Sequence, residues 1–599
     1  MAKSMIDARY LYLISSVVLA PTMVCCDGVR AAESLAVQAK HDMVVSADVD
    51  ASRAGLEVLQ RGGNAVDAAV AVAFALAVVR PDSGNLGGGG FMMVHLKSGQ
   101  DLAVDFRETA PLRSSGNMYL DRAGHIIRGA STIGYQSVAV PGTVAGMALA
   151  HRRWGRLSWQ SDLEPACRLA SRGFRISRAL ADELADPETQ ALLRRFPESR
   201  RLFLANSRSP RLGDVMVRPD LAATIRDLQT HGPRAFYRGR IATTIAHDMR
   251  LHGGLISLRD LNTYQPVVRD PITGQYRGYQ VVSMPPPSSG GVALLEMLNI
   301  LQRYDLASSG PDSALTIHRM AEAMRRAFAD RSRYLGDPDF VKVPVSRLIS
   351  PDYANIRAAS VLPDRASTST EVGPGAAAKG SPLVPTLGYR RGISADSRRW
   401  PAFHEKTETT HFSIVDRWGN AAACTYTLNG AFGSGITVPG TGIVLNDEMD
   451  DFASAPGIPN MFGLLQGAAN EIAPRKRPLS SMTPTFVFRN GRLVLVTGSP
   501  GGLTIINTVL NILVNTIDFH LGPSAAVRAP RFHHQWLPDR LRVERGGLSP
   551  ETLQRLRVMG YTVEERGPMG DAGTIGVDPR TGARIGAADP RGSGEAVGD

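Results

Sequence analysis

The chain has 599 residues, 43% hydrophobic and 21% charged, an ordinary globular composition with enough apolar material for a large buried core. Its formal net charge of +11 raises nucleic acid as a partner, yet the arginines are spread thinly and the densest run is Arg475-Lys476-Arg477. No basic stripe with interleaved aromatics occurs, so a generally basic surface and no nucleic-acid partner are expected.

The first 31 residues read as a secretory signal. Lys3 and Arg9 precede an apolar run over 10–26, and Val29-Arg30-Ala31 offers a cleavage site. Val24 stands where a lipoprotein signal wants a small residue, and the run is short for a span. A periplasmic or secreted protein with no stable membrane span is the expectation. Four cysteines without a CxxC pair or ligand spacing suggest neither a disulfide framework nor zinc.

From 42 to 80 the pattern is strand, helix, then a second helix apolar on nearly every face and therefore buried. Gly62-Gly63 stops the first helix and Asn64 caps the second. The glycine run at 84–90 leads into a strand and permits close backbone approach. Residues 150–360 read mostly as helices, with "MPPPSSGG" at 284–291 as a turn opening one of them. Residues 364–404, rich in Ser, Thr, Gly, Pro and Ala, form the chief composition break and read as a flexible segment. Strands follow: one pair turns at 417–420, with Phe412/Ile414 alternating in the first and Cys424/Tyr426 in the second. A second hairpin turns at Asn490-Gly491, and an apolar helix covers 505–519.

A flexible segment running into "ETTHFS" places Thr409 at the start of a strand. A threonine at a free N-terminus carries its own base: an α-amino group, which ordinarily titrates at about 7.7–8, accepts the hydroxyl proton near neutral pH. An internal threonine has no such base until the peptide bond after Glu408 is cut. Its own hydroxyl can make that cut by attacking the Glu408 carbonyl, and hydrolysis of the resulting ester liberates the amine.

The motifs "GGNAVDAAVA", "NLGGGGFM", "DFRETAP", "MPPPSSGG", "TTHFSIVD", "TYTLN", "LNDEMDDF", "RPLSSMTPT", "TGSPGG" and "APRFHHQWLPD" run in this order along the chain. In them the sequence resembles the γ-glutamyltransferase family of N-terminal-nucleophile hydrolases, from about residue 40 to 592. The resemblance implies an α+β fold, a four-layer α/β/β/α sandwich. It also implies two subunits from one precursor: a large one over 32–408, ending in a flexible tail at 364–408, and a small catalytic one over 409–599. These subunits would form a heterodimer. By similarity Thr409 is the nucleophile and Thr427 orients it. Arg107 resembles the clamp for a substrate α-carboxylate, where a guanidinium can bond bidentately, and Ser480 and Ser481 the hydroxyl donors to the same group. Glu448 and Asp451, with Asn429, resemble the α-ammonium site, and Gly501 and Gly502 the oxyanion hole. No cofactor or metal is implied.

His533 and His534 lack a third ligand at metal spacing and read as packing or hydrogen-bonding residues, and His411 as a support for the fold or for maturation. The segment 455–467 resembles the lid, with Phe462 where many bacterial members carry tyrosine; a looser lid is expected, since phenylalanine cannot bond to Asn429. The implied substrates are γ-glutamyl compounds such as glutathione, with water, amino acids or dipeptides as acceptors. Two alternatives stay open: a cephalosporin (glutaryl) acylase of the same superfamily, for which an acidic ammonium site would be pointless, and an uncleaved, non-catalytic paralogue.

Overall fold

Two seven-stranded antiparallel sheets stack face to face, with helices on both outer surfaces. The computed structural model describes residues 36–204, 209–375, 409–454 and 458–599. The expected signal segment 1–31, Glu408 and the linker beyond residue 375 lie outside the described residues. Among the described residues no helix is long and apolar enough to cross a membrane.

The first sheet runs, edge to edge, through Glu595–Gly598, Met43–Ser46, Thr409–Val415, Ala421–Thr427, Gly89–His95, Asp101–Asp105 and Val267–Arg269. The second runs through Val37–Ala39, Arg584–Ala588, Gly573–Val577, Arg492–Thr497, Thr485–Arg489, Tyr279–Ser283 and Ile272–Tyr276. Side chains alternate across a strand, so each sheet presents one set inward and one outward. Val45, Phe91, Met93, Val415 and Ala423 meet Val282, Phe486, Val496 and Ile575 in the layer between the sheets. Phe412, Ile414, Cys424 and Tyr426 point the other way, into the helical layer, as their alternation predicts.

The first helical layer is built on Val49–Gln60 and Ala65–Val79. All fifteen residues of the second helix are buried, which explains its lack of a polar face. Asn64 caps it by accepting from the amides of Val66 and Asp67, and the Asp67 carboxylate accepts from the Asn64 amide at 2.8 Å in return. Such caps contribute about 1 kcal/mol each. Gly290–Leu301, Ala314–Tyr334 and Thr504–Ile517 cover the second sheet. A fully buried Val, Leu or Phe contributes roughly 1.5–3 kcal/mol relative to exposure, so these layers hold most of the driving force.

Two segments differ from the sequence expectation. Within the stretch read as mostly helical lies the hairpin Ile272–Tyr276 and Tyr279–Ser283, turned at Arg277-Gly278, both with positive φ. That pair of φ values is the two-residue hairpin signature, and "YRGY" carried it in the sequence. The start of the segment read as flexible is pinned: Ala366 N donates to Met559 O at 2.7 Å, and buried Ser369 donates its amide to Asp539. Polar groups from distant helices and loops supply these bonds, which composition does not reveal.

Asp162, in the first turn of helix Trp159–Arg172, is fully buried and neither oxygen has a hydrogen-bond partner among the described residues. Burial, then the neighbouring Asp67 carboxylate, push its carboxyl up to about 9. The native state therefore holds a proton that the unfolded chain releases above its ordinary value of 3.8. The stability this contributes is complete below that value and is lost as pH rises toward 9. Asp162→Asn should flatten the fall in Tm across this window relative to the parent protein, as followed by thermal denaturation; an unchanged slope would refute the assignment.

Candidate active site

Strand register sets the site. Thr409 opens its strand directly opposite Thr427, the last residue of the neighbouring strand. With a side-chain period of two, Thr409 shares the inter-sheet face with His411, Ser413 and Val415, and Thr427 shares it with Thr425, Ala423 and Ala421. The Thr409 hydroxyl donates to Thr427 Oγ1 at 3.2 Å, and that oxygen also accepts from the Asn429 amide at 2.9 Å. Strand Gly89–His95 backs this pair, with Gly89 in register with Thr427. Added carbon at Gly88 would meet the Thr427 carbonyl oxygen at 2.1 Å, and at Gly90 the Tyr426 backbone at 2.5 Å. The glycine run is therefore the close approach that keeps the Thr427 strand in place.

A small cavity opens beside Thr409. Thr427, Asn429, Glu448, Asp451, Ser480, Ser481, Phe462 and Gly502 line it, so eight further residues singled out in the sequence converge on Thr409. Arg107, fully buried, sits behind the acidic wall: its guanidinium bonds to the carboxylates of Glu448 and Asp451, with Glu108 at 3.6 Å. The arginine expected to clamp a carboxylate and the acids expected to clamp an ammonium thus bond to one another. Burial would lower the Arg107 pKa, but Glu448 and Asp451 raise it above the ordinary value. Burial pushes the Glu448 carboxyl well up despite Arg107, and Glu108 to about 8. Glu448 Oε2 has no hydrogen-bond partner among the described residues.

The turn 284–291 grips the serine segment. Ser289 N and Oγ both donate to Ser480 O, Ser480 N donates to Pro287 O, and Ser288 Oγ donates to Met482 O. The sequence offered this motif only as a helix-opening turn; its role as a cradle comes from the tertiary packing that brings it alongside. Ser480 Oγ accepts from the Met482 amide at 3.2 Å, and Ser481 Oγ accepts from Arg331 Nη2 at 3.3 Å. Both hydroxyls keep a proton to donate. Gly501 and Gly502 have φ of 127° and 53°, backbone that side chains rarely adopt, and they lead into the helix Thr504–Ile517. Gly502 lines the cavity, whereas a side chain at Gly501 would meet Thr504 Oγ1 at 2.5 Å.

The described part of the segment expected to act as a lid is fastened to the acidic turn. Asn460 Nδ2 donates to Asp451 Oδ1 at 3.2 Å and Met461 N to Asp450 Oδ2 at 2.9 Å. The Phe462 ring lies against Gly502. Met461 Sδ accepts from Asn429 Nδ2 at 3.4 Å, so the asparagine expected to lose its lid partner finds one at the preceding residue.

His411 bonds to Thr425 and Ser413 at 2.8 and 3.0 Å, and burial lowers its pKa to about 3. A neutral ring so engaged supports the strand pair. His533 bonds to Asn507 and Gln535, and His534 to Asp539; burial lowers them to about 3 and about 4. Among the described residues one group has metal-like spacing: Asp67, His151 and Asp162 in the helical layer. Its Asp67 oxygens already accept from the amides of Asn64, Arg156 and Leu157. Arg331 lines the cavity without having stood out in the sequence, since nothing distinguishes it there from the other arginines of its helix, Ala314–Tyr334.

Residues 51–599 match the family model described as gamma-glutamyltranspeptidase. The chain is 46% identical over 555 residues to the "Glutathione hydrolase proenzyme" of Escherichia coli (strain K12), covering 93% of this chain and 91% of that one. The solved cephalosporin acylase of Bacillus halodurans superposes with a TM-score of 0.80 at 28% identity, covering 94% of this chain and 97% of that one. The Helicobacter pylori γ-glutamyltranspeptidase superposes with a TM-score of 0.55 at 42% identity, covering 56% of this chain and 97% of that one. A four-layer sandwich with two threonines paired at its centre, matched in sequence over nearly its whole length, belongs to the γ-glutamyltranspeptidase family of N-terminal-nucleophile hydrolases.

Proposed function

We propose that the chain is a γ-glutamyltransferase and glutathione hydrolase that cleaves itself between Glu408 and Thr409 and then uses Thr409 as its nucleophile. The observation that carries this reading is the Thr409 hydroxyl, seated at the start of a central strand, bonded to Thr427 and open to a cavity with charges of both signs. Proenzyme relatives support the self-cleavage.

Maturation begins when Thr409 Oγ1 attacks the Glu408 carbonyl carbon. The C–N bond breaks, the acyl group moves to oxygen, and water hydrolyses the ester. Thr409 then bears a free α-amine. In turnover the amine takes the hydroxyl proton as Oγ1 attacks the γ-carbonyl of the substrate. The amides of Gly501 and Gly502 stabilise the oxyanion; losing one such donor typically costs about 3–4 kcal/mol of barrier. The amine returns its proton to the leaving nitrogen, which for glutathione departs in cysteinylglycine. Water attacking the ester gives glutamate, and an amino acid or dipeptide amine gives a new γ-glutamyl amide. Thr427 holds the Thr409 oxygen in line throughout.

The substrate's head group is a zwitterion, and the cavity answers it. Glu448, Asp451 and the Asn429 side chain receive the α-ammonium; Ser480, Ser481 and the Arg107 charge receive the α-carboxylate. An ammonium arriving at Glu448 and Asp451 competes with Arg107 for them, which loosens the guanidinium for the carboxylate. The cephalosporin (glutaryl) acylase alternative has the Bacillus halodurans cephalosporin acylase fold in its favour, but a glutaryl substrate lacks the ammonium these acids would meet. The proposed setting is the periplasm or the extracellular space, from the N-terminal sequence alone.

On a denaturing gel the purified protein should give two bands, and Thr409→Ala a single uncleaved band with no γ-glutamyl-anilide turnover. An uncleaved but active parent protein, or an active Thr409→Ala variant, would overturn the proposal. Thr427→Val keeps the shape and removes the oxygen that accepts from both the Thr409 hydroxyl and the Asn429 amide; kcat should fall at least about tenfold with little change in KM.

A further inference from the structure

Gly501 and Gly502 have no side chains to lock them, and their φ values of 127° and 53° are of the kind glycine adopts most readily. A glycine pair with this freedom can turn a peptide plane over at little steric cost. Such a turn would exchange N–H for C=O and set a carbonyl oxygen where a developing negative charge needs a donor. Something outside the pair has to hold the planes.

Two hydroxyls do so, one for each plane. A trans peptide is planar with its C=O and N–H on opposite sides, so fixing the oxygen aims the N–H away from it. The Gly501 N–H shares its plane with Pro500 O, which accepts from Ser499 Oγ at 2.7 Å. The Gly502 N–H shares its plane with Gly501 O, which accepts from Thr504 Oγ1 at 2.7 Å and from Thr504 N at 2.9 Å. Ser499 and Thr504 are both buried. Ser499 Oγ is itself fixed from the far side: it accepts from Asp571 N at 3.1 Å, and a side chain at Gly570 would meet it at 2.6 Å. Thr504 is the first residue of the helix Thr504–Ile517, so a rigid element carries the second hydroxyl. Among the described residues neither glycine amide donates to a protein acceptor, which leaves both for a ligand.

We propose that Ser499 and Thr504 are positioning residues for the oxyanion hole, each acting through the peptide plane it holds. This rests on the reading of Thr409 as the nucleophile of γ-glutamyl transfer. Their contribution belongs to the moment when the γ-carbonyl oxygen takes on charge, so it enters kcat and leaves the affinity for the head group alone.

The test follows γ-glutamyl-p-nitroanilide turnover by the cleaved enzyme. S499A should lower kcat about tenfold, and T504V about fivefold because the Thr504 amide still holds Gly501 O, each with KM within about twofold. Both losses fall short of the roughly hundredfold or greater loss expected when a donor is removed outright. T504S, which keeps the hydroxyl, should recover most of the T504V loss. The second readout is a glutamate analogue with a boronic acid in place of the γ-carboxyl group, whose boron takes the Thr409 oxygen to give a tetrahedral adduct. Its affinity should weaken by the same factor as kcat, while inhibition by glutamate, which carries the head group but forms no such adduct, stays unchanged. Equal weakening of both inhibitors, or a loss confined to KM, would make the two hydroxyls supports of the fold and overturn the proposal. Unchanged kcat in S499A and T504V, or no recovery in T504S, would overturn it as well. If S499A fails to mature, T504V and T504S decide; failure of both S499A and T504V to mature would also count against it. Absence of γ-glutamyl turnover by the parent enzyme would instead overturn the functional reading.

Discussion

The pairing of Thr409 with Thr427 is the constraint from which the rest of the site follows. It joins the first residue of one central strand to the last residue of its neighbour, so the hydroxyl lies between two sheets and at their edge. A shift of one residue would turn Thr409 into the helical layer, where Phe412 and Ile414 now pack. The register is held from both sides. Met43–Ser46 pairs with one strand, and Gly89–His95, too close to admit side chains at its glycines, pairs with the other.

Charge is handled with similar economy of space. Arg107 joins Glu108, Glu448 and Asp451 in one cluster, in which burial pushes the Glu108 and Glu448 carboxyls up. Desolvation makes such a cluster expensive, and the unpartnered Glu448 Oε2 shows that it is incompletely satisfied among the described residues. A zwitterionic head group brings one charge for the acids and one for the arginines. Binding can thus complete the electrostatics of the wall instead of merely filling a hole.

Most of this was legible in the sequence, for identifiable reasons. Strand alternation at Phe412/Ile414 and Cys424/Tyr426 reported which face meets the helices, and Asn64 announced its helix start through cap chemistry. The motifs carried most of the residues lining the cavity. The features that escaped have another origin. The hairpin at Arg277-Gly278 had a local signal that the surrounding helical periodicity obscured. Arg331 had no local signal, because its place in the cavity wall comes from tertiary packing. The Met461 contact to Asn429 likewise depends on how the lid folds back, and the sequence directed attention to its neighbour Phe462.

The interleaving of strands has a final consequence. Segments before and after residue 408 alternate within both sheets: Thr409–Val415 lies beside Met43–Ser46, Ala421–Thr427 beside Gly89–His95, and Thr485–Arg489 beside Tyr279–Ser283. Neither portion could complete a sheet alone, and pulling them apart would expose the shared interior of the sandwich. A scission ahead of Thr409 therefore adds a terminus without creating two independent folding units. The uncut polypeptide must be the species that folds, and assembly has to be finished before the chemistry can start.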